Sequence, residues 1–267
     1  LCVHVPAGHD QYLSYVTYDV TDKLVGTEFS DDSHVWTMTL FHGWYDRGVG
    51  YPEIYSPWGD TNALRGVLVI TYSDGTKQVI GTDEEFMVTL DGPIRENDVY
   101  QGEFYDASRE LYQTNGSWTD TAEREDLIDT AGRGSMSLFE FDAEEDEKET
   151  AWSQAAVDQV DSRYYDLPYV GKYNDPITCI QELRPISVSE PVSGTYVYDF
   201  GQNFAGVCRI TMNAKAGDLV TLRYGEALNS DTLRNKDDVV GTIWTENLLT
   251  ADATDYYLAI DGGQTYQ

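Results

Sequence analysis

The chain is short of positive charge: Lys and Arg number 17 against 47 Asp and Glu, for a formal net charge of -30. A surface of that sign repels a phosphate backbone and an anionic membrane alike, which argues against nucleic-acid binding and membrane association. Solubility is the plain account of such acidity; calcium affinity, which needs clustered oxygen ligands, is the sharper one. Cysteine is scarce too. Cys2, Cys179 and Cys208 are too few and too scattered for a disulfide framework or a zinc site with paired ligands. Buried free thiols are the expectation, with Cys179 and Cys208 the better pair should a bridge form. The sequence shows neither a basic leader with an apolar core nor an apolar run of about 18 residues. A trimmed leader would leave no trace, so the compartment stays open. The four histidines, His4, His9, His34 and His42, lack HExxH spacing, and no GxSxG elbow or GxxxxGK[ST] loop occurs. Zincin, serine-hydrolase and nucleotide chemistry drop out.

What the chain does have is aromatic and apolar content, 13% and 41% of 267 residues, enough for two ordinary domains with their own cores. Residues 35–41 alternate with period two and place Trp36, Met38 and Leu40 on one face, as a half-buried strand requires. Residues 64–72, then Asp74-Gly75, then residues 77–80 read as a β-hairpin, because Gly accepts the positive φ of a tight turn. Further strands are expected at 12–20, 85–90, 102–105, 195–200, 207–212, 219–224 and 255–260. The interval from about residue 113 to 161 breaks the pattern with low β-propensity and the acidic run Asp142-Ala143-Glu144-Glu145-Asp146-Glu147. A short helix at 122–128, capped by Thr119 or Asp120, is predicted inside it. Trp152, Ala155, Ala156 and Val160 have helix-like spacing, but an extended reading of that segment is equally open. The expectation is an all-β chain of two β-sandwich, jelly-roll-like domains with an acidic, partly helical insertion and linker.

Tyr198-Asp199-Phe200-Gly201-Gln202-Asn203 joins two β-rich runs through a polar corner, where Gly201 supplies backbone freedom and Asp199, Gln202 and Asn203 can bond main-chain groups. After it come Lys215-Ala216-Gly217-Asp218, Gly225-Glu226-Ala227-Leu228, Thr245-Glu246-Asn247-Leu248 and Ala251-Asp252-Ala253-Thr254-Asp255-Tyr256-Tyr257. Upstream lie Gly43-Trp44-Tyr45, Thr71-Tyr72-Ser73-Asp74-Gly75-Thr76, Gly92-Pro93-Ile94, and the run from Asn97-Asp98 through Gly102-Glu103 to Asp106-Ala107. In this joint order the blocks resemble bacterial α-L-rhamnosidases of glycoside hydrolase family 78. The resemblance implies an N-terminal, galactose-binding-like sandwich at 1–112, entered partway through. An insertion and linker would follow at 113–180, then a second sandwich at 181–267, cut short at its end. It also implies that the family's (α/α) barrel, which carries the catalytic carboxylates for inverting hydrolysis of terminal α-L-rhamnosyl groups, is missing. The chain alone is therefore expected to be inactive, with no catalytic residues of its own and no required cofactor. A bacterial source is implied, with cytoplasmic and extracellular locations both open.

Sugar binding on a sandwich needs an aromatic platform for the apolar pyranose face, beside carboxylates or amides that fork to adjacent hydroxyls. The loop at 43–62 has both. Trp44, Tyr45, Tyr55 and Trp58 lie with Asp60 and Asn62 around Gly48, Gly50 and Pro52. Trp44 follows a strand and reads as core, whereas Trp58 reads as the platform for a terminal L-rhamnose. The alternative is packing of the sandwich edge or of the barrel. Asn97, Asp98 and Glu103 form a second oxygen-rich set near Arg95, Glu96 and Asp106. The resemblance implies calcium there, since some N-terminal domains of the family bind rhamnose with calcium; turn carboxylates in salt bridges are the alternative.

Overall fold

A computed structural model describes residues 2–4, 12–24, 36–40, 45, 62–110, 112–114, 117–119, 152–156, 167–172, 175, 177–233 and 238–267. In chain order its strands begin with β1 (Cys2–His4), β2 (Leu13–Val16), β3 (Val67–Thr71), β4 (Lys77–Gly81), β5 (Met87–Val88), β6 (Ile94–Asp98) and β7 (Gly102–Asp106). They continue with β8 (Tyr112–Thr114), β9 (Ser117–Thr119), β10 (Ser153–Gln154), β11 (Tyr169–Gly171), β12 (Ser187–Val192) and β13 (Thr195–Asp199). The last are β14 (Ile210–Ala214), β15 (Leu219–Arg223), β16 (Ala227–Leu228), β17 (Ile243–Trp244), β18 (Thr254–Leu258) and β19 (Gly262–Tyr266). Among the described residues, helix is confined to one turn at Thr21–Leu24 and to 3-10 turns at Ala107–Arg109 and Glu246–Leu248. The fold is all-β, as expected. No helix among the described residues is long and apolar enough to cross a membrane.

The chain forms two compact units: Leu1–Gly50, Ile54–Pro93 and Arg109–Asn174 make the first, and Tyr51–Glu53, Ile94–Ser108 and Asp175–Gln267 the second. Ile94–Ser108, early in the chain, folds with the second unit.

In the first unit β2 pairs antiparallel with β1 and parallel with β11, and Leu13 is buried at 4% exposure. The expected hairpin is β3 and β4, with Val69 opposite Val79. Its turn is built as the sequence suggests. Gly75 takes φ +85, and Asp74 Oδ1 accepts bonds from the Thr76 amide at 2.9 Å and the Thr76 hydroxyl at 2.6 Å. β10 pairs with β5, so Ser153–Gln154 are extended rather than helical, while Val160 lies outside the described residues. Residues 36–40, expected as a strand, carry no ladder. Trp36 and Met38 are half-buried there, and a Cβ at Gly66 would lie 2.8 Å from the Trp36 ring. Trp36 also meets Phe86 edge-on, ring centroids 5.7 Å apart. Trp36 and Met38 thus share a packed face without strand pairing, whereas Leu40, expected on the same face, is exposed at 49%. The expected helix at 122–128 and the acidic run at 142–147 lie outside the described residues.

The second unit has two layers. One is a four-stranded sheet in the order β15-β18-β7-β6, and the other is the antiparallel pair β14 and β19. Side chains alternate as period two demands: Ile210, Met212 and Ala214 turn inward while Thr211 and Asn213 are exposed. Between the layers lie Ala107, Tyr257, Ala259 and Tyr266, packed by Val220, Leu222 and Ile260. Tyr105 and Tyr257 stack at 5.6 Å with planes 10° apart, and Tyr266 tilts against Tyr257 at 4.9 Å. Aromatic contacts of this kind stabilise a core beyond the area they bury. β12 and β13 form a separate hairpin with Val188 opposite Tyr198, and β16 pairs with β17. Cys179 is exposed and Cys208 half-buried, both as free thiols; the expected burial fails for Cys179, and the two do not bridge.

β18 runs parallel to β7, with Tyr257 opposite Tyr105. The approach needs Gly102. At φ +111 a Cβ there would lie 2.1 Å from the Thr254 carbonyl oxygen, so both backbone angle and space demand glycine. Gly102→Ala is expected to destabilise the second unit by on the order of 3 kcal/mol, combining left-handed strain with overpacking. Urea unfolding followed by tyrosine fluorescence measures it, with Gly75→Ala as a control that meets no neighbour within 4 Å.

Candidate functional site

Of the sugar-loop candidates, Tyr45 and Asn62 are both half-buried, whereas Trp44, Tyr55, Trp58 and Asp60 lie outside the described residues. The oxygen-rich set is fully described. β6 and β7 pair with Asn97 directly opposite Glu103, so the two side chains share a face. Asn97 Nδ2 donates to Glu103 Oε2 at 3.1 Å, and the Tyr266 hydroxyl donates to Glu103 Oε1 at 2.9 Å. The backbone N–H of Glu103 donates to Asp255 Oδ1 at 2.9 Å, and the Tyr224 hydroxyl to Asp255 Oδ2 at 2.6 Å. Asp98 faces another task. Its Oδ1 accepts from the amides of Tyr100 at 2.7 Å and Gln101 at 3.0 Å, which closes the turn between β6 and β7.

Both oxygens of Glu103 and of Asp255 therefore accept hydrogen bonds from within the fold. A hard cation needs several oxygens aimed at one point; here both Glu103 oxygens and Asp98 Oδ1 are engaged by N–H and O–H groups of the fold. Among the described residues no group of three or more His, Cys, Asp or Glu is placed to hold a metal ion. Asp106, also in that stretch, accepts from the amide and hydroxyl of Ser108 at 3.0 and 2.6 Å. What the arrangement does chemically is tie β7 to β19 through Glu103 and Tyr266, and the end of β15 to β18 through Tyr224 and Asp255. Sequence reading did not single out Asp255, Tyr224 or Tyr266, because each lies far along the chain from Glu103.

The polar corner after β13 behaves as a structural turn. Gly201 has φ +76 and its N–H donates to Asp199 Oδ1 at 2.7 Å. Asn203 reaches a side chain instead of the backbone, donating to Glu226 Oε1 at 3.0 Å.

A family model for the alpha-L-rhamnosidase N-terminal domain matches residues 6–132, and one for the bacterial alpha-L-rhamnosidase concanavalin-like domain matches residues 189–267. By these two domains the chain belongs to the bacterial α-L-rhamnosidase family. An alpha-L-rhamnosidase of Streptomyces avermitilis is 31% identical over 260 residues, covering 96% of this chain and 20% of that protein. One from Alteromonas sp. (strain LOR) is 27% identical over 255 residues, covering 96% of this chain and 23% of that protein. Among solved structures, the Streptomyces avermitilis alpha-L-rhamnosidase complexed with L-rhamnose aligns with a TM-score of 0.60 and 31% identity, over 84% of this chain and 18% of that one. The chain spans about a fifth of the length of these rhamnosidases.

The two rhamnosidase blocks that meet at β7 and β18 explain the candidate cluster. The β6–β7 hairpin lies within the match to the N-terminal domain, yet it is hydrogen-bonded to a strand of the concanavalin-like match. Ala253 and Thr254 donate backbone bonds to the carbonyls of Tyr100 and Gln101, both at 2.9 Å, and stitch the hairpin turn to the start of β18.

Burial, the bond to Asp255 and its negative charge raise the Tyr224 hydroxyl well above its ordinary pKa of 10.0. Burial, with the charge of Glu103 and the bond to it, raises Tyr266 likewise. Each phenol stays neutral in the fold but ionises near pH 10 once unfolded. The unfolded chain thus sheds protons first as pH rises, and the stabilisation, complete below about pH 10, is lost above it. Urea midpoints should fall between neutral pH and about pH 11, and absorbance at 295 nm should show Tyr224 and Tyr266 ionising only as the fold opens.

Proposed function

We propose that this chain is the non-catalytic β-sandwich portion of an α-L-rhamnosidase-type glycoside hydrolase. Its work is to support a catalytic (α/α) barrel and to capture terminal L-rhamnose through the loop at 43–62. The supporting observation is that both rhamnosidase domain matches stand in one chain, in order, over about a fifth of the relatives' length. Hydrolysis of a glycoside needs an acid and a base or nucleophile set across the sugar. The half-buried carboxylates Glu103 and Asp255 are each committed to tyrosine donors, which supports assigning bond cleavage to another part of the polypeptide. In this reading Trp58 stacks on the sugar and Asp60 and Asn62 fork to its hydroxyls. Asn97, Asp98 and Glu103 brace the sheet, and calcium enters as one arm of the test.

The purely structural alternative, in which the aromatics of the loop pack on a neighbouring domain, is separated by calorimetric titration with L-rhamnose in calcium and in EDTA. Saturable binding that Trp58→Ala weakens roughly fivefold to tenfold is expected, the loss of about 1 kcal/mol from one aromatic platform. Flat titrations in both buffers would leave only the scaffold role. Binding that disappears in EDTA would restore the metal role of the set around Asp98. The 267-residue chain should release no nitrophenol from a nitrophenyl α-L-rhamnoside, and turnover would overturn the assignment.

A further inference from the structure

We infer that the outward face of the β12–β13 hairpin is the docking surface for a further domain of the same polypeptide, an inference that rests on the proposed function. Side chains alternate along a strand, so Ile186, Val188, Tyr196 and Tyr198 share one face, with Val188 and Tyr198 directly opposed. Their exposures are 71%, 54%, 57% and 53%. In the segment leading into the hairpin, Ile177 and Ile180 are also exposed, at 103% and 94%. Val197, which points the other way, is half-buried, and its neighbours across the ladder on that side are serines. The hairpin therefore presents its bulkier apolar side chains to water, the reverse of a strand pair covered on one face. Among the described residues β12 and β13 pair only with each other, and a lone two-stranded hairpin is marginal in water. A contiguous apolar face of this kind marks an interaction site.

Charge and length choose the occupant. A second copy would carry the same net charge of -30, so a contact between copies would bring like-charged surfaces together. The related rhamnosidases extend well beyond the matched region, which is about a fifth of their length. The fitting partner is a folded domain with an apolar patch rimmed by Lys and Arg, covalently continuous with this chain and so held at high effective concentration.

Hydroxyl-radical footprinting of Tyr196 and Tyr198, read by mass spectrometry, tests this by comparing the 267-residue chain with the whole polypeptide encoded by its gene. Modification of both tyrosines should drop about fivefold or more in the whole polypeptide, as water leaves an interface core, while exposed Tyr18 stays unchanged. Equal modification in the two proteins would overturn the inference, as would protection already present in the 267-residue chain, whether or not it depends on concentration. So would a reading frame that stops at Gln267. Val188→Glu gives a second reading: it should leave the melting temperature of the short chain unchanged and lower that of the whole polypeptide, and no change in either counts against docking. Rhamnoside hydrolysis by the whole polypeptide separates the two ideas. Activity with unprotected tyrosines sinks the docking surface alone; protection without activity sinks the rhamnosidase assignment and leaves the surface standing.

Discussion

The parallel pairing of β7 with β18 is the contact on which the second unit depends. It joins residues about 150 positions apart, so the chain must close a long loop before the first hydrogen bond forms. Loop-closure entropy grows only logarithmically with length, which is why such a long connection is tolerated at all. Gly102 lets the backbones approach, and the amide of Glu103 then finds Asp255. That register sets Tyr105 over Tyr257 and brings Glu103 to Tyr266, while the antiparallel pairing of β15 with β18 places Tyr224 on Asp255. Shifting it by one residue would turn Glu103 and Tyr105 to the opposite face.

The polar groups at this junction are satisfied by one another. Two carboxylates held between layers would be costly if left unpartnered, and their tyrosine donors remove that cost while keeping the phenols neutral. The same economy makes the cluster unsuited to catalysis. An acid or base must be free to meet a substrate, whereas Glu103 and Asp255 are closed in by the fold that they stabilise.

The sheet character, the β3–β4 hairpin and the Asp74-Gly75 turn were legible because their causes are local: period-two alternation, Asx bonding and positive φ at glycine. The Asp199–Gly201 corner was legible for the same reason. Residues 36–40 show the limit of that logic, since an alternating face can be satisfied by packing of Trp36 alone, without a ladder. The run around Asn97, Asp98 and Glu103 was visible as a concentration of oxygen ligands, but composition cannot say where those oxygens point. The structure turns them onto Tyr266 and the turn amides.

By itself, the sequence determined the class of fold, the acidic surface and the rhamnosidase kinship, since propensity, charge and block order are all properties of the chain read in line. Only the tertiary structure decided that residues 94–108 belong with strands from the far end of the chain, and that Glu103 meets Asn97 and Tyr266. The physical reason is that hydrogen-bond partners at such separation leave no periodic or local trace. They are chosen by register and by the close approach at Gly102, which exist only once the sheet has formed.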